Sequence, residues 1–183
     1  MSEAATPMIK LPTGHVQLAL LVLVGMIVVI GSALGFEHIG GYAPCALCLE
    51  QRFSYYWRIP VMALGLVAAL LSWPQAFVRI LFFIVAALLL YTAGLGVYHS
   101  GVEWGFFEAP TSCGAGFSAQ SSDAGNLLES LATATPPKCD DAAGRFLGLS
   151  FAGWNFVVAT ILAFLALRGA LEKPDQGSSG ASQ

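Results

Sequence analysis

Charge is what this sequence has least of. Asp, Glu, Lys and Arg make up only 10% of its 183 residues, and 56% are hydrophobic. Ordinary soluble domains carry about 25% charged residues. One soluble core cannot hide so much apolar surface, so the chain needs a bilayer as solvent. Cationic side chains are scarce too. Eight Lys and Arg, a formal net charge of -3 and no basic run exclude a nucleic-acid partner. There is no Rossmann glycine pattern, no Cys-x-x-Cys-His and no iron–sulfur spacing, so no nucleotide, haem or cluster is expected.

What is present is four apolar runs: Val16 to Phe36, Phe53 to Trp73, Phe77 to Tyr98 and Phe151 to Leu167. A helix crossing ~30 Å of hydrocarbon needs about 20 residues. The expected fold is therefore all-α, a polytopic bundle of four transmembrane helices forming one integral membrane domain. Spans are expected at 16–36, 53–73, 77–98 and 150–168. Both termini, 1–15 and 169–183, and the turn 74–76 fall on one side. The loops 37–52 and 99–149 fall on the other. The first run exceeds the roughly 7–15 apolar residues of a signal peptide, so it reads as a span.

Local signals add detail. Pro60 predicts a kink in the second helix or marks its first full turns. Gly94 and Gly96 offer a close approach to a neighbouring helix. Trp104, Phe106 and Phe107 suit the membrane interface. Residues 126–131 fit a short amphipathic surface helix capped by Ser122 or Asp123, or equally an irregular loop. Arg58 sits deep in the second run with no assigned partner, an intramembrane charge that reads as functional or as reaching back to the surface.

Basic residues divide evenly between the sides: Lys10, Arg79, Arg168 and Lys173 against Arg52, Arg58, Lys138 and Arg145. The first group lies in short segments, where the positive-inside rule acts best. Disulfides need an oxidising compartment. Both arguments put the termini in the cytoplasm and the cysteine loops outside.

The chain has four cysteines. Cys45 and Cys48 stand in Cys-x-x-Cys spacing after Pro44, which is read as the start of the second helix. That places both sulfurs in its first turns, where unpaired N–H groups and the helix dipole favour a thiolate. Arg52, four residues after Cys48, points the same way and adds a fixed charge. Cys113 lies between Thr111-Ser112 and Gly114-Ala115-Gly116, small residues that leave a sulfur reachable by a large partner. Cys113 and Cys139 are too far apart for the usual four-thiolate zinc spacing, so no metal is expected. They either staple the long loop or carry electrons to Cys45 and Cys48 by thiol–disulfide exchange. A lipid-soluble acceptor, quinone, is the fitting electron sink.

These residues resemble a known family. Pro44-Cys45-Ala46-Leu47-Cys48-Leu49-Glu50-Gln51-Arg52 is similar to the redox motif of disulfide bond formation protein B (DsbB). So are Tyr98 to Gly105, then Pro110-Thr111-Ser112-Cys113, and Cys139-Asp140 followed by Phe146 to Asn155. The resemblance implies a thiol:quinone oxidoreductase of the bacterial inner membrane that uses ubiquinone or menaquinone. It implies redox disulfides Cys45–Cys48 and Cys113–Cys139. The partner would be a periplasmic thioredoxin-fold oxidase attacking Cys113, with Cys45 exchanging with Cys139. Cys48 would then face quinone as a thiolate. Arg52 would stabilise that thiolate and the quinone's charge, and His99 would belong to the quinone pocket. The small polar stretch 140–145 departs from the aromatic character expected there. Two rivals are weaker. A vitamin K epoxide reductase-type enzyme places its loop pair before the Cys-x-x-Cys. A tetraspanin-like scaffold gives no reason for Arg52.

Overall fold

The computed structural model describes residues 13–114 and 138–172. Four helices dominate: α1 (Thr13–His38), α2 (Ala46–Leu70), α3 (Gln75–Glu103) and α4 (Phe151–Leu171). Each is long and apolar enough to cross a membrane. The chain is thus a multi-pass membrane protein, and a four-helix membrane bundle. α1 packs on α2 and α4, and α3 packs on α2 and most extensively on α4. The ring closes around Ala19, Val22 and Met26 of α1, Met62 of α2, Phe82, Val85 and Leu89 of α3, and Leu162 and Ala166 of α4. Leu21, Phe53, Trp57, Phe83 and Phe164 point outward and stay exposed. An apolar exterior of this kind is stable only against lipid.

The helix ends explain where the bundle turns. α2 stops with Ser72 in the left-handed region (φ 55°), and Trp73 N–H donates to Ala68 O, so Pro74 opens the next helix at once. α3 runs on to Glu103, past the expected limit at Tyr98. His99, Ser100 and Glu103 are polar, yet polarity does not interrupt helical hydrogen bonding. The stop comes at Gly105 (φ 74°), with its N–H bonded to Val102 O and Phe106 N–H to Gly101 O, a Schellman ending. α4 is capped by Ser150, whose Oγ accepts from Gly153 N–H.

Small residues set the closest contacts. A Cβ on Gly96 would lie 3.1 Å from the Phe156 backbone, so α3 and α4 touch there, whereas Gly94 faces open space. Pro60 lies inside α2. Arg58 does not reach back to the surface. It is fully buried, donating to Ser54 O, Ser54 Oγ and Leu88 O, with its guanidinium 4.2 Å from the Tyr55 ring centroid.

His15 and Glu172 meet at 3.5 Å, bringing the start of α1 and the end of α4 together at one end of the bundle. At the opposite end, a 3₁₀ turn (Thr111–Gly114) carries Cys113, and a hairpin of β1 (Arg145–Phe146) and β2 (Leu149–Ser150) leads into α4. The polar stretch 140–145 is seated because it is small: Gly144 passes beneath Phe151 and Tyr42, where a Cβ would meet the Phe151 ring at 3.0 Å. The surface helix expected at 126–131, with Ser122 or Asp123 as cap, lies outside the described residues.

Candidate redox site

Cys45 is the N-cap of α2, which begins at Ala46, two residues later than the start expected at Pro44. Its extended backbone (ψ 170°) turns Sγ back over the first turn, where it accepts from Cys48 N–H at 3.3 Å. The Cys48 sulfur lies 2.7 Å away, and His99 Nε2 lies 3.6 Å away on the facing wall of α3. Cys45 and Cys48 are both free thiols here, Cys45 buried and Cys48 half-buried. The hydrogen bond from the Cys48 thiol, followed by His99, holds the Cys45 thiol well below its ordinary value, although burial pushes the other way. The cap N–H and the His99 ring both favour negative charge on Cys45 when the pair is reduced.

Cys113 and Cys139 form a disulfide with Cα atoms 5.6 Å apart. The bond packs into one cluster with Cys45, Leu47 and Val102, against Cys48 and Tyr98. All four expected redox cysteines thus converge at one end of the bundle. Cys113 is 7% exposed, packed against this cluster.

Two cavities flank the Cys-x-x-Cys turn. The larger, about 460 Å³, lies among α1, α2 and α4. Its walls are apolar (Val28, Val29, Phe36, Phe151, Val158), with Cys48, Arg52 and Glu37 at one end and Gln51, Tyr55 and Asn155 along one side. Arg52 shares this cleft with Cys48, but its guanidinium is ion-paired with Glu37 of α1. The smaller cavity, about 430 Å³, is the more polar of the two and lies on the Cys45 side, bounded by His99, Glu103, Lys138 and Asp141. His99 belongs to this chamber and does not line the apolar cleft. One residue past the expected end of the third span, its ring is directed at Cys45. Cys45, Cys48 and His99 present donor atoms all within 4.8 Å of one another, the only such group among the described residues that could hold a cation.

Four residues were missed from sequence. Glu37 pairs with Arg52. Gln51 Nε2 meets His99 Nδ1 at 3.2 Å, Asn155 Nδ2 donates to Gln51 Oε1 at 2.6 Å, and Tyr55 OH donates to Asn155 Oδ1 at 2.9 Å. The signal for Gln51 and Tyr55 was their spacing from Cys48 on one helix; for Asn155, a lone amide in an apolar run.

Comparison with known proteins adds an independent line. The family described as "Disulfide bond formation protein DsbB" matches residues 15–168. A "Disulfide bond formation protein B" of Saccharophagus degradans is 32% identical over 167 residues, covering 90% of this chain and 97% of that protein. One of Marinobacter nauticus is 32% identical over 158 residues, covering 82% and 86%. No solved structure gives a significant match.

Proposed function

We propose a function from a plain premise: this chain belongs to the family of disulfide bond formation protein DsbB. It is a membrane oxidoreductase of disulfide bond formation. The finer reading is a protein-dithiol:quinone oxidoreductase of the bacterial inner membrane, its cysteine loops in the periplasm. A thioredoxin-fold oxidase in its dithiol form attacks Cys113 and leaves as a disulfide, reducing Cys113–Cys139 to two thiols. The Cys139 thiolate attacks Cys45 of an oxidised Cys45–Cys48 pair and releases Cys48 as a thiolate. Cys113 then attacks Cys139, restoring that disulfide and leaving Cys45 and Cys48 reduced. Reoxidising this pair gives up two electrons and two protons, which quinone accepts as it becomes quinol. Net, partner dithiol plus quinone gives partner disulfide plus quinol.

One observation carries this reading. Cys48 lines an apolar cleft of about 460 Å³, while Cys45 in the same turn packs with the Cys113–Cys139 disulfide. A single Cys-x-x-Cys thus touches both a lipid-like chamber and a second redox pair. The cleft suits an isoprenoid quinone: its walls are aliphatic and aromatic, and Arg52 supplies a cation near Cys48 for charge developing on a ring oxygen. Lifting Cys113 from its packed position is the step that admits the partner.

The test is turnover. Purified protein, a reduced thioredoxin-fold dithiol protein, and either ubiquinone or menaquinone are mixed, and quinone absorbance is followed. Stoichiometric quinol and partner disulfide are expected. Partner oxidation that proceeds without any quinone requirement overturns the acceptor. A partner whose second active-site cysteine is replaced by Ala, mixed with protein holding Cys113–Cys139 oxidised, should stay bound to Cys113 as a mixed disulfide on a non-reducing gel, with Cys139 as the leaving thiol; no such adduct removes Cys113 as the point of attack.

A further inference from the structure

The four side chains between the Cys-x-x-Cys turn and the bundle core form one continuous hydrogen-bonded array across three helices. It runs Tyr55 OH to Asn155 Oδ1, Asn155 Nδ2 to Gln51 Oε1, Gln51 Nε2 to His99 Nδ1, and His99 Nε2 to Cys45 Sγ. Each carboxamide has one accepting and one donating end, so the direction at one link dictates the direction at the next. If Tyr55 donates, Asn155 presents its NH₂ to Gln51, Gln51 presents its NH₂ to His99, and His99 Nδ1 must accept. The ring proton then sits on Nε2.

The far end favours the same direction independently. His99 Nε2 faces a sulfur that already accepts from Cys48, and Glu103 Oε1 lies 3.8 Å from the same nitrogen. In the reversed array, a nitrogen lone pair would confront both the sulfur and a carboxyl oxygen. The remaining charged groups bounding the chamber, Lys138 and Asp141, flank Cys139 and do not belong to the array. At the near end, Arg58 lies over the Tyr55 ring, and a cation there makes the phenol a better donor.

We infer that Tyr55, Asn155 and Gln51 are positioning residues that fix His99 as the Nε2–H tautomer, so that its proton is always directed at Cys45. This rests on the redox reading of Cys45 given above. The array stabilises negative charge on Cys45 in the resting reduced pair, while Cys48 lines the apolar cleft. Cys45 thereby receives three donors, the Cys48 N–H, the Cys48 thiol and the His99 N–H, two of them supplied by its own helix turn.

The decisive experiment needs no quinone. Heteronuclear NMR of the histidine ring nitrogens, on the reduced full-length protein in detergent, reads the tautomer directly. Wild type is expected to show His99 with Nε2–H and a bare Nδ1; a bare Nε2 with Nδ1–H overturns the inference whatever the variants do. Tyr55→Phe and Asn155→Leu each break one link, and both should give mixed tautomers. Both should also lower the Cys45 thiolate fraction near neutral pH, read by pH-dependent alkylation. Loss of one charge-assisted hydrogen bond sets the scale, roughly threefold or more. Variants that keep the wild-type helical circular dichroism and the Cys113–Cys139 disulfide, yet show an unchanged tautomer and alkylation profile, also overturn it. Failure of the quinone reading would appear separately, as absent quinol formation by wild type with its tautomer intact.

Discussion

Cys45 is a sulfur with its charge arranged for it. Its pKa is lowered, so its thiolate persists as pH falls and is lost only beneath the lowered value, well under the ~8.5 of a free thiol. Alkylation of the reduced protein, followed by mass spectrometry, should therefore modify Cys45 readily at mildly acidic pH. A midpoint like that of free cysteine would contradict the cap geometry. Arg52 makes a second prediction. Replacing it with Gln should raise the quinone KM or lower quinone-dependent kcat by about tenfold or more, the scale of one stabilising donor near developing charge. Formation of the Cys113–partner adduct should be unaffected, as checked on non-reducing gels. The residues that could be read from sequence are those whose chemistry is spaced along one helix: Cys45, Cys48 and Arg52. Glu37, Asn155 and the direction of His99 could not be read. Their partners lie on other helices, and which faces meet is decided by packing that no local spacing encodes.

At the scale of elements, the same contrast holds. All four helices were legible because apolar length is a direct demand of the bilayer. Their ends were not, because an apolar run ends where polarity begins and a helix ends where its backbone does. α3 continues through His99, which puts that ring opposite Cys45 instead of in a loop. Turn chemistry makes a prediction at Ser72, which holds a left-handed backbone without being glycine. Ser72→Gly should stabilise the bundle by about 0.5 kcal/mol, the relief of left-handed strain net of glycine's extra unfolded-state freedom. Gly96 makes the opposite one. A Val there drives its side chain into the Phe156 backbone and should cost about 1–3 kcal/mol, by the measure of other overpacked contacts. Unfolding in mixed detergent micelles reads both.

Considered whole, the molecule has two ends with different business, and a tag placed at Leu147-Gly148 should be reached by protease from the side opposite to one placed after Gln183. Arg58 has a consequence of another kind, for how the protein is made. α2 has a mean hydropathy of 1.3 against 2.5 for α3, and it carries a cation at its middle. A lone arginine at mid-bilayer costs ~2.5–3.5 kcal/mol on insertion scales. Its relief comes partly from α3, through Leu88 O and through Ser54, which is bonded to Thr92. The two segments are joined by only the tight turn at Ser72 to Pro74. During biogenesis, then, α2 is a poor passenger alone and a good one as half of a hairpin, so its integration waits on the synthesis of the helix that follows it.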